Sequence, residues 1–194
     1  MSTQRPIPII PVDSLVQGYS EGRFPMAHDG KIYSHDPDPR AVFDLASIKP
    51  DARTARVIRS GRYRTTVDKD FEAVIRACAD REETWLDEPM IRSYIGLHRA
   101  GFAFSVECWE GDRLAGGIYG VAIGRAFFGE SMFGANNAGK VAFHALVDLL
   151  RQRNYVLFDT QYINPFTKQL GAMEIPRSLF REQLARAIGT SDTL

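Results

Sequence analysis

Residues 102–128 read FAFSVECWEGDRLAGGIYGVAIGRAFF, and this stretch decides the fold class. Apolar and small residues from Phe102 to Trp109 and from Leu114 to Ile123 predict two strands, and the intervening Glu110-Gly111-Asp112-Arg113 predicts a turn. A third short strand is expected over residues 126–128. Because the connections are short, we expect the three strands to form an antiparallel meander.

Helical periodicity flanks this meander. Apolar residues recur every three to four positions in three segments, residues 70–81, 89–101 and 138–153. Proline and glycine punctuation predicts a short helix between Pro50 and Gly61 and a last helix from Pro176 to about Gly189. An apolar strand over residues 155–158 follows the helix that ends at Arg153. The sequence therefore predicts an α+β fold with a mixed, mainly antiparallel sheet.

A short, proline-rich part precedes these regular elements. We expect it to form a small N-terminal domain over residues 1–62, packed on a larger acyltransferase-like domain over residues 63–194.

Composition excludes several functional classes. The 24 basic and 24 acidic residues cancel, so contact with a nucleic acid requires a local basic patch. Cys78 and Cys108 are too few and too far apart for a disulfide framework or a zinc site. The longest apolar runs, such as residues 121–123, are far too short to span a membrane. The first eleven residues lack the pattern of a signal peptide, so we expect a cytoplasmic protein without a membrane partner.

Two segments carry candidate chemistry. In residues 127–133, FFGESMF, a carboxylate and a hydroxyl lie between large apolar side chains, which is typical of a pocket for an amino acid with a neutral side chain. The alternative is a strand end with core aromatics and a solvated Glu130. Residues 155–161, YVLFDTQ, form an apolar strand that ends in polar residues, and strand alternation puts Asp159 and Gln161 on one side. Here the alternative is a capping aspartate and a loop amide.

These two segments, together with residues 170–177, LGAMEIPR, resemble the signature segments of the leucyl/phenylalanyl-tRNA protein transferases. The likeness extends upstream, in the same order, through residues 22–26, 36–40, 84–86, 97–98 and 116–121. It therefore covers nearly the whole chain.

The resemblance implies a fold and a reaction. Members of this family resemble the GNAT acyltransferases in their larger domain and bind the acceptor end of leucyl-tRNA or phenylalanyl-tRNA. They transfer the aminoacyl group to proteins that begin with Arg or Lys, which marks the product for degradation. An aminoacyl ester is already activated, so neither ATP, nor a metal ion, nor another cofactor is expected, and positioning is the main requirement. We expect a monomer.

The resemblance also assigns site residues. Asp159 and Gln161 are expected to orient the acceptor amine, and Glu130 to hold the aminoacyl end through its ammonium group or the nearby ribose. The remaining candidates for substrate binding are Ile118, Phe127, Ser131, Met132, Phe133, Phe158 and Trp85. Trp85 is expected either to stack on a terminal base or to fill the domain junction.

Arginines recur in and after the short helix, at positions 53, 56, 59, 62 and 64. With the resemblance, Arg53, Arg56, Arg59, Arg62 and Arg64 are expected to follow the phosphates of an acceptor stem. Without the family resemblance, the simpler interpretation is that these arginines form a solvated helix face.

The chain departs from the family pattern at three places that concern acceptor-stem recognition and donor choice. A histidine that the family commonly has a few residues beyond Gln161 is absent, and Pro165-Phe166 lies nearby. The loop over residues 134–140 is one residue shorter, with glycine where the family has serine, and Ser34-His35 replaces an aromatic pair.

Two other functions remain open from the sequence. A CoA-dependent N-acetyltransferase would share the larger domain, although residues 134–140 lack the pattern that binds pyrophosphate. A non-catalytic module that binds tRNA or protein N-termini is the other alternative.

Overall fold

The computed structural model describes residues 9–29, 31–80, 84 and 86–189. The helices in these residues are α1 (Val12–Ser20), α2 (Ala52–Arg59), α3 (Phe71–Ala79), α4 (Glu88–Arg99), α5 (Ala138–Gln152), α6 (Pro165–Gln169) and α7 (Arg177–Gly189). The strands are β1 (Phe24–His28), β2 (Lys31–His35), β3 (Arg40–Phe43), β4 (Arg64–Val67), β5 (Ala103–Glu110), β6 (Arg113–Ile123), β7 (Ala126–Gly134), β8 (Leu157–Gln161) and β9 (Ala172–Ile175). No helix in the described residues is both long and apolar enough to cross a membrane.

A seven-stranded sheet organises the molecule, in the order β4-β5-β6-β7-β8-β3-β9. Its neighbours pair antiparallel except β7 and β8, which are parallel and are connected through α5. Strands β1 and β2 form a separate antiparallel hairpin. The predicted α+β class, the mainly antiparallel sheet and the β5-β6-β7 meander are therefore confirmed.

The sheet separates two buried clusters of apolar side chains. Phe128 of β7 packs on one face with side chains of α1, α3, α4 and α7, whereas its neighbour Phe127 packs on the other face with α5. This split follows from strand alternation, which sends consecutive side chains to opposite faces. The first three residues of β7, Ala126 to Phe128, are therefore buried, and their side chains enter the two clusters in turn.

The predicted division at residue 62 does not coincide with a break in the sheet. Strand β3, from the first 62 residues, lies between β8 and β9. Leu15 and Tyr19 of α1 belong to the same buried cluster as Tyr94 of α4. Two domains over residues 1–62 and 63–194 thus stay a prediction.

Candidate functional site

A cavity of about 310 Å³ opens where β7 and β8 separate. Their parallel pairing spans only three residue pairs and ends at Phe128 and Asp159. Beyond that point, residues 129–132 of β7 and residues 160–161 of β8 line the cavity. A gap between parallel strands exposes side chains from both, so polar groups of two chain segments meet there.

Glu130 enters the cavity through a β-bulge. Gly120 of β6 pairs with Gly129 and Tyr119 pairs with Ser131, so Glu130 is an extra residue in β7. The bulge reverses the alternation: Phe127 and Met132, five residues apart, both pack against the cluster that contains α5. A Cβ atom on Gly120 would lie 2.2 Å from the carbonyl oxygen of Phe128, so only glycine fits beside the bulge.

Three neutral groups hold the Glu130 carboxylate. The Tyr19 hydroxyl donates to Oε1 at 2.7 Å, the Tyr94 hydroxyl donates to Oε2 at 3.0 Å, and Gln161 Nε2 donates to Oε1 at 2.9 Å. The two tyrosine hydroxyls are also 2.7 Å apart. Two hydroxyls and one carboxylate thus form a triangle of three close O···O contacts.

Two opposing effects set the charge of Glu130. Burial is the larger effect and raises the pKa of Glu130 from 4.5 to about 7. The hydrogen bonds from the two tyrosine hydroxyls lower this pKa, because they stabilise the carboxylate. Glu130 is therefore poised to change its charge near neutral pH.

Asp159, on the adjacent strand, has a different environment. Its side chain and that of Arg40 are both 0% exposed, and the guanidinium donates to both carboxylate oxygens, at 2.9 and 2.6 Å. The Arg40 guanidinium lies between the rings of Phe24 and Phe180, and its Nη1 donates to the carbonyl oxygen of Gly22 at 2.8 Å. Asp159 does not line the cavity. Direct contact between its carboxylate and an acceptor amine would require the pair with Arg40 to open.

Gln161 connects the two carboxylates. Its backbone N–H donates to Asp159 Oδ1 at 2.9 Å, its φ is 62°, and its side chain reaches Glu130. The Asp159 contact stabilises a left-handed conformation that is uncommon for a residue with a side chain. The structure thus places Glu130, Asp159 and Gln161 in one hydrogen-bonded network, with Glu130 and Gln161 on the cavity wall.

The apolar candidates divide between wall and core. Ile118, Ser131, Met132 and Phe158 line the cavity. Phe127 is fully buried behind the wall, where its ring packs against those of Phe104 and Phe158. Phe133 lines a neighbouring groove rather than the cavity. Trp85 lies outside the described residues.

The five candidate arginines are all exposed. Arg53, Arg56 and Arg59 belong to α2, and Arg64 begins β4. Arg62 forms an ion pair with Glu110 at 2.8 Å, which offsets part of its charge.

Several residues of the site are not among the candidates from the sequence. Tyr19 and Tyr94 bind Glu130, and Arg40 binds Asp159. Phe43, Phe143 and Leu170 are among the further apolar residues that line the cavity. Tyr94 lies in the helix predicted over residues 89–101, and Arg40 lies in the segment over residues 36–40 that resembles the family. In the described residues, no group of three or more His, Cys, Asp or Glu side chains is placed to bind a metal ion.

Comparison with known proteins identifies the family. Residues 42–185 match the family model described as leucyl/phenylalanyl-tRNA protein transferase. Leucyl/phenylalanyl-tRNA–protein transferases from Rubrobacter xylanophilus and Gloeobacter violaceus are 51% and 49% identical over 177 residues, which cover 90% of this chain and 93% and 92% of those proteins. The solved structure of L-PGS from Bacillus licheniformis aligns with a TM-score of 0.45 and 12% identity, over 76% of this chain and 56% of that chain, a likeness too low to support an argument. On the family match and the two relatives, the chain belongs to the leucyl/phenylalanyl-tRNA protein transferase family.

Proposed function

We propose that this protein transfers a leucyl or phenylalanyl group from its tRNA to the N-terminal amine of a protein that begins with Arg or Lys. The observation that carries the proposal is the cavity between β7 and β8, which combines an apolar wall with one carboxylate, Glu130. Its volume of about 310 Å³ is at the lower end of the range for small-molecule sites, as an amino-acid side chain requires. The family match supports the same reaction.

The wall selects the donor by its side chain. Ile118, Met132 and Phe158 present apolar groups to the cavity, and its other apolar lining residues include Phe43, Phe143 and Leu170. Burial of a polar side chain there without a partner costs about 1–3 kcal/mol. One methylene more or less changes binding by a similar amount, so discrimination among apolar donors is graded.

The reaction exchanges an ester for an amide. The acceptor nitrogen forms a bond to the aminoacyl carbonyl carbon, the bond from that carbon to the terminal ribose oxygen breaks, and the amine proton ends on the released hydroxyl. The ester is activated already, so the protein supplies position. The acceptor amine has an ordinary pKa near 8, so a useful fraction is neutral at physiological pH.

We assign a role to each polar group of the network. Glu130 holds the donor through its ammonium group or the adjacent ribose. Gln161 meets the acceptor amine through Oε1, because its Nε2 is committed to Glu130. Asp159 is a positioning residue: it fixes the backbone of Gln161 while Arg40 satisfies its charge.

The fold of the larger part of the chain, the cellular location, the oligomeric state and the fate of the product follow from the family resemblance and are part of the proposal. The larger part of the chain is a GNAT-like acyltransferase domain, which the separation of the parallel strands beside the cavity supports. The protein acts as a cytoplasmic monomer, and its products are marked for degradation.

The exposed arginines of α2 are proposed to contact phosphates of the acceptor stem. Replacing both Arg53 and Arg56 with Gln is expected to weaken tRNA binding and to lower the slope of log affinity against log salt by about 1.8, since each phosphate contact contributes about 0.9. The control carries Arg181→Gln and Arg186→Gln, which remove two arginines from α7. An unchanged slope in the Arg53/Arg56 variant, or an equal change in the control, would remove this surface from the proposal.

A transfer assay tests the function directly. Purified protein is incubated with radiolabelled leucyl-tRNA and an acceptor protein that begins with Arg, beside the same acceptor beginning with Gly. We expect label in an amide bond on the first acceptor only, and weaker labelling from valyl-tRNA by about 10- to 200-fold. Stable tRNA binding without a labelled product, or labelling from acetyl-CoA instead, would overturn the proposal.

A further inference from the structure

A second groove, of about 600 Å³, adjoins the cavity. The two share three lining residues, Met132, Asn164 and Phe166. The groove is bounded further by the loop between β7 and α5, including Asn137 and Lys140. A ligand that fills the cavity and extends past Met132 therefore enters the groove.

The groove also adjoins the arginine helix. Lys140 Nζ lies 3.1 Å from Oδ2 of Asp51, the N-cap residue of α2, and the Tyr63 hydroxyl donates to the carbonyl oxygen of Asn136 at 3.2 Å. These two contacts hold the loop over residues 134–140 against the segment that carries Arg53 and Arg56. The order across the surface is thus the cavity, the groove and then the arginines of α2.

The chemistry of the groove suits a nucleotide. Its described lining residues include one cation, Lys140, and no carboxylate. Phe166 offers a ring that is 43% exposed, and Asn137 begins α5 without capping it through its side chain, so its amide can face a ligand. A phosphate group of a nucleotide can pair with Lys140. The face of its base can stack on the Phe166 ring, and the Asn137 amide can hydrogen-bond to the edge of the base.

We infer that this groove is the subsite for the nucleotide that precedes the terminal aminoacyl-adenosine of the donor. The inference rests on the proposed function. The acceptor protein is a poorer occupant, because its positive N-terminal residue would meet Lys140, and the Asp51 carboxylate beside the groove is already paired with that lysine. An RNA strand that runs from α2 to the cavity would instead pass its phosphate beside Lys140.

Donors of different length test the inference. The shorter probe is leucyl-adenosine, with the leucyl group joined to the adenosine through an amide. The longer probe is the same molecule with one cytidine nucleotide added before the adenosine. We expect wild-type protein to bind the longer probe about tenfold more tightly, as measured by competition against leucyl-tRNA. In Lys140→Gln and Asn137→Ala variants this advantage is expected to shrink to about twofold, with unchanged affinity for leucyl-adenosine.

The matched control is Lys31→Gln, which removes the same charge from β2, away from the groove. It is expected to preserve the tenfold advantage. Equal binding of the two probes by wild-type protein would overturn the inference, and so would an equal loss for both probes in Lys140→Gln. Absence of transfer from intact leucyl-tRNA would instead contradict the proposed function, so the two failures are distinguishable.

Discussion

Two buried carboxylates on neighbouring strands differ in how their charge is balanced. Asp159 of β8 is fully buried and paired with the guanidinium of Arg40, whereas Glu130 of β7 is bound by two hydroxyls and an amide. Among the described residues, no cation forms a salt bridge with Glu130. A buried ion pair balances one carboxylate, while burial raises the pKa of the other to about 7, so Glu130 can gain or lose a proton near neutral pH. Under the proposed function, the contrast separates a group that maintains the site from a group that contacts the substrate.

Removing Arg40, the counter-ion of Asp159, is expected to have the largest effect on stability. Arg40→Met leaves the Asp159 carboxylate buried without a partner, which is expected to lower the free energy of unfolding by about 3–5 kcal/mol. Urea unfolding measures the change. The control is Arg186→Met, which removes an exposed pair with Glu182 and is expected to cost at most about 1 kcal/mol. Similar losses in both variants would mean that the buried pair does not stabilise the site.

The two carboxylates also differ in what the sequence revealed. Alternation predicted that Asp159 and Gln161 project to one side of their strand, but only Gln161 lines the cavity, and Asp159 is buried against Arg40. The segment over residues 127–133 predicted a carboxylate beside an apolar wall, and Glu130 lines the cavity with Ile118, Met132 and Phe158. Arg40 could not be predicted as the partner of Asp159, because the two are 119 positions apart and Arg40 lies in a four-residue strand without a periodic pattern.

The ends of the site strands were harder to predict than their centres. Polar residues suggested that β8 stops at Phe158, but it continues to Gln161, because β3 pairs with it and places Val42 opposite Asp159 and Ala41 opposite Gln161. The bulge at Glu130 depends on the partner strand, so alternation along β7 alone could not separate Met132 on the wall from Phe133 beside it. Tyr19 and Tyr94 have the pattern of core residues, and only the fold turns their hydroxyls toward Glu130.

The pH dependence of stability is a second test of the difference between Glu130 and Asp159. The folded-state pKa of Glu130, about 7, lies above its ordinary 4.5, so the folded protein binds more protons between these values. The contribution of Glu130 to the free energy of unfolding therefore falls as pH rises from 4.5 to 7, by up to about 3 kcal/mol. Glu130→Gln lacks the titrating group, so its stability relative to wild type is expected to rise over this window. Urea unfolding at pH 5 and pH 8 measures both proteins, and identical pH profiles would contradict the environment described for Glu130.

Removing one of the hydrogen bonds to Glu130 is expected to have the smallest effect on stability. Tyr94→Phe deletes the hydroxyl that donates to Oε2, at a cost of about 1 kcal/mol in stability. Because that hydrogen bond lowers the pKa of Glu130, the pH at which transfer changes is expected to move upward. Tyr119→Phe is the control, since Tyr119 packs against the Tyr94 ring but its hydroxyl is not among the hydrogen-bond donors to Glu130. An equal shift of the pH profile in both variants would assign the effect to packing rather than to the hydroxyl.

The central claim is that Glu130 contacts the donor while Asp159 acts from behind the wall through Gln161. Binding of amide-linked leucyl-adenosine to Glu130→Gln and Asp159→Asn, each confirmed as folded, tests it most directly. We expect at least a tenfold loss of affinity for Glu130→Gln, since a hydrogen bond to a charged group is worth about 1.5–3 kcal/mol, and less than about a twofold change for Asp159→Asn. A large loss for Asp159→Asn with unchanged binding by Glu130→Gln would contradict the account.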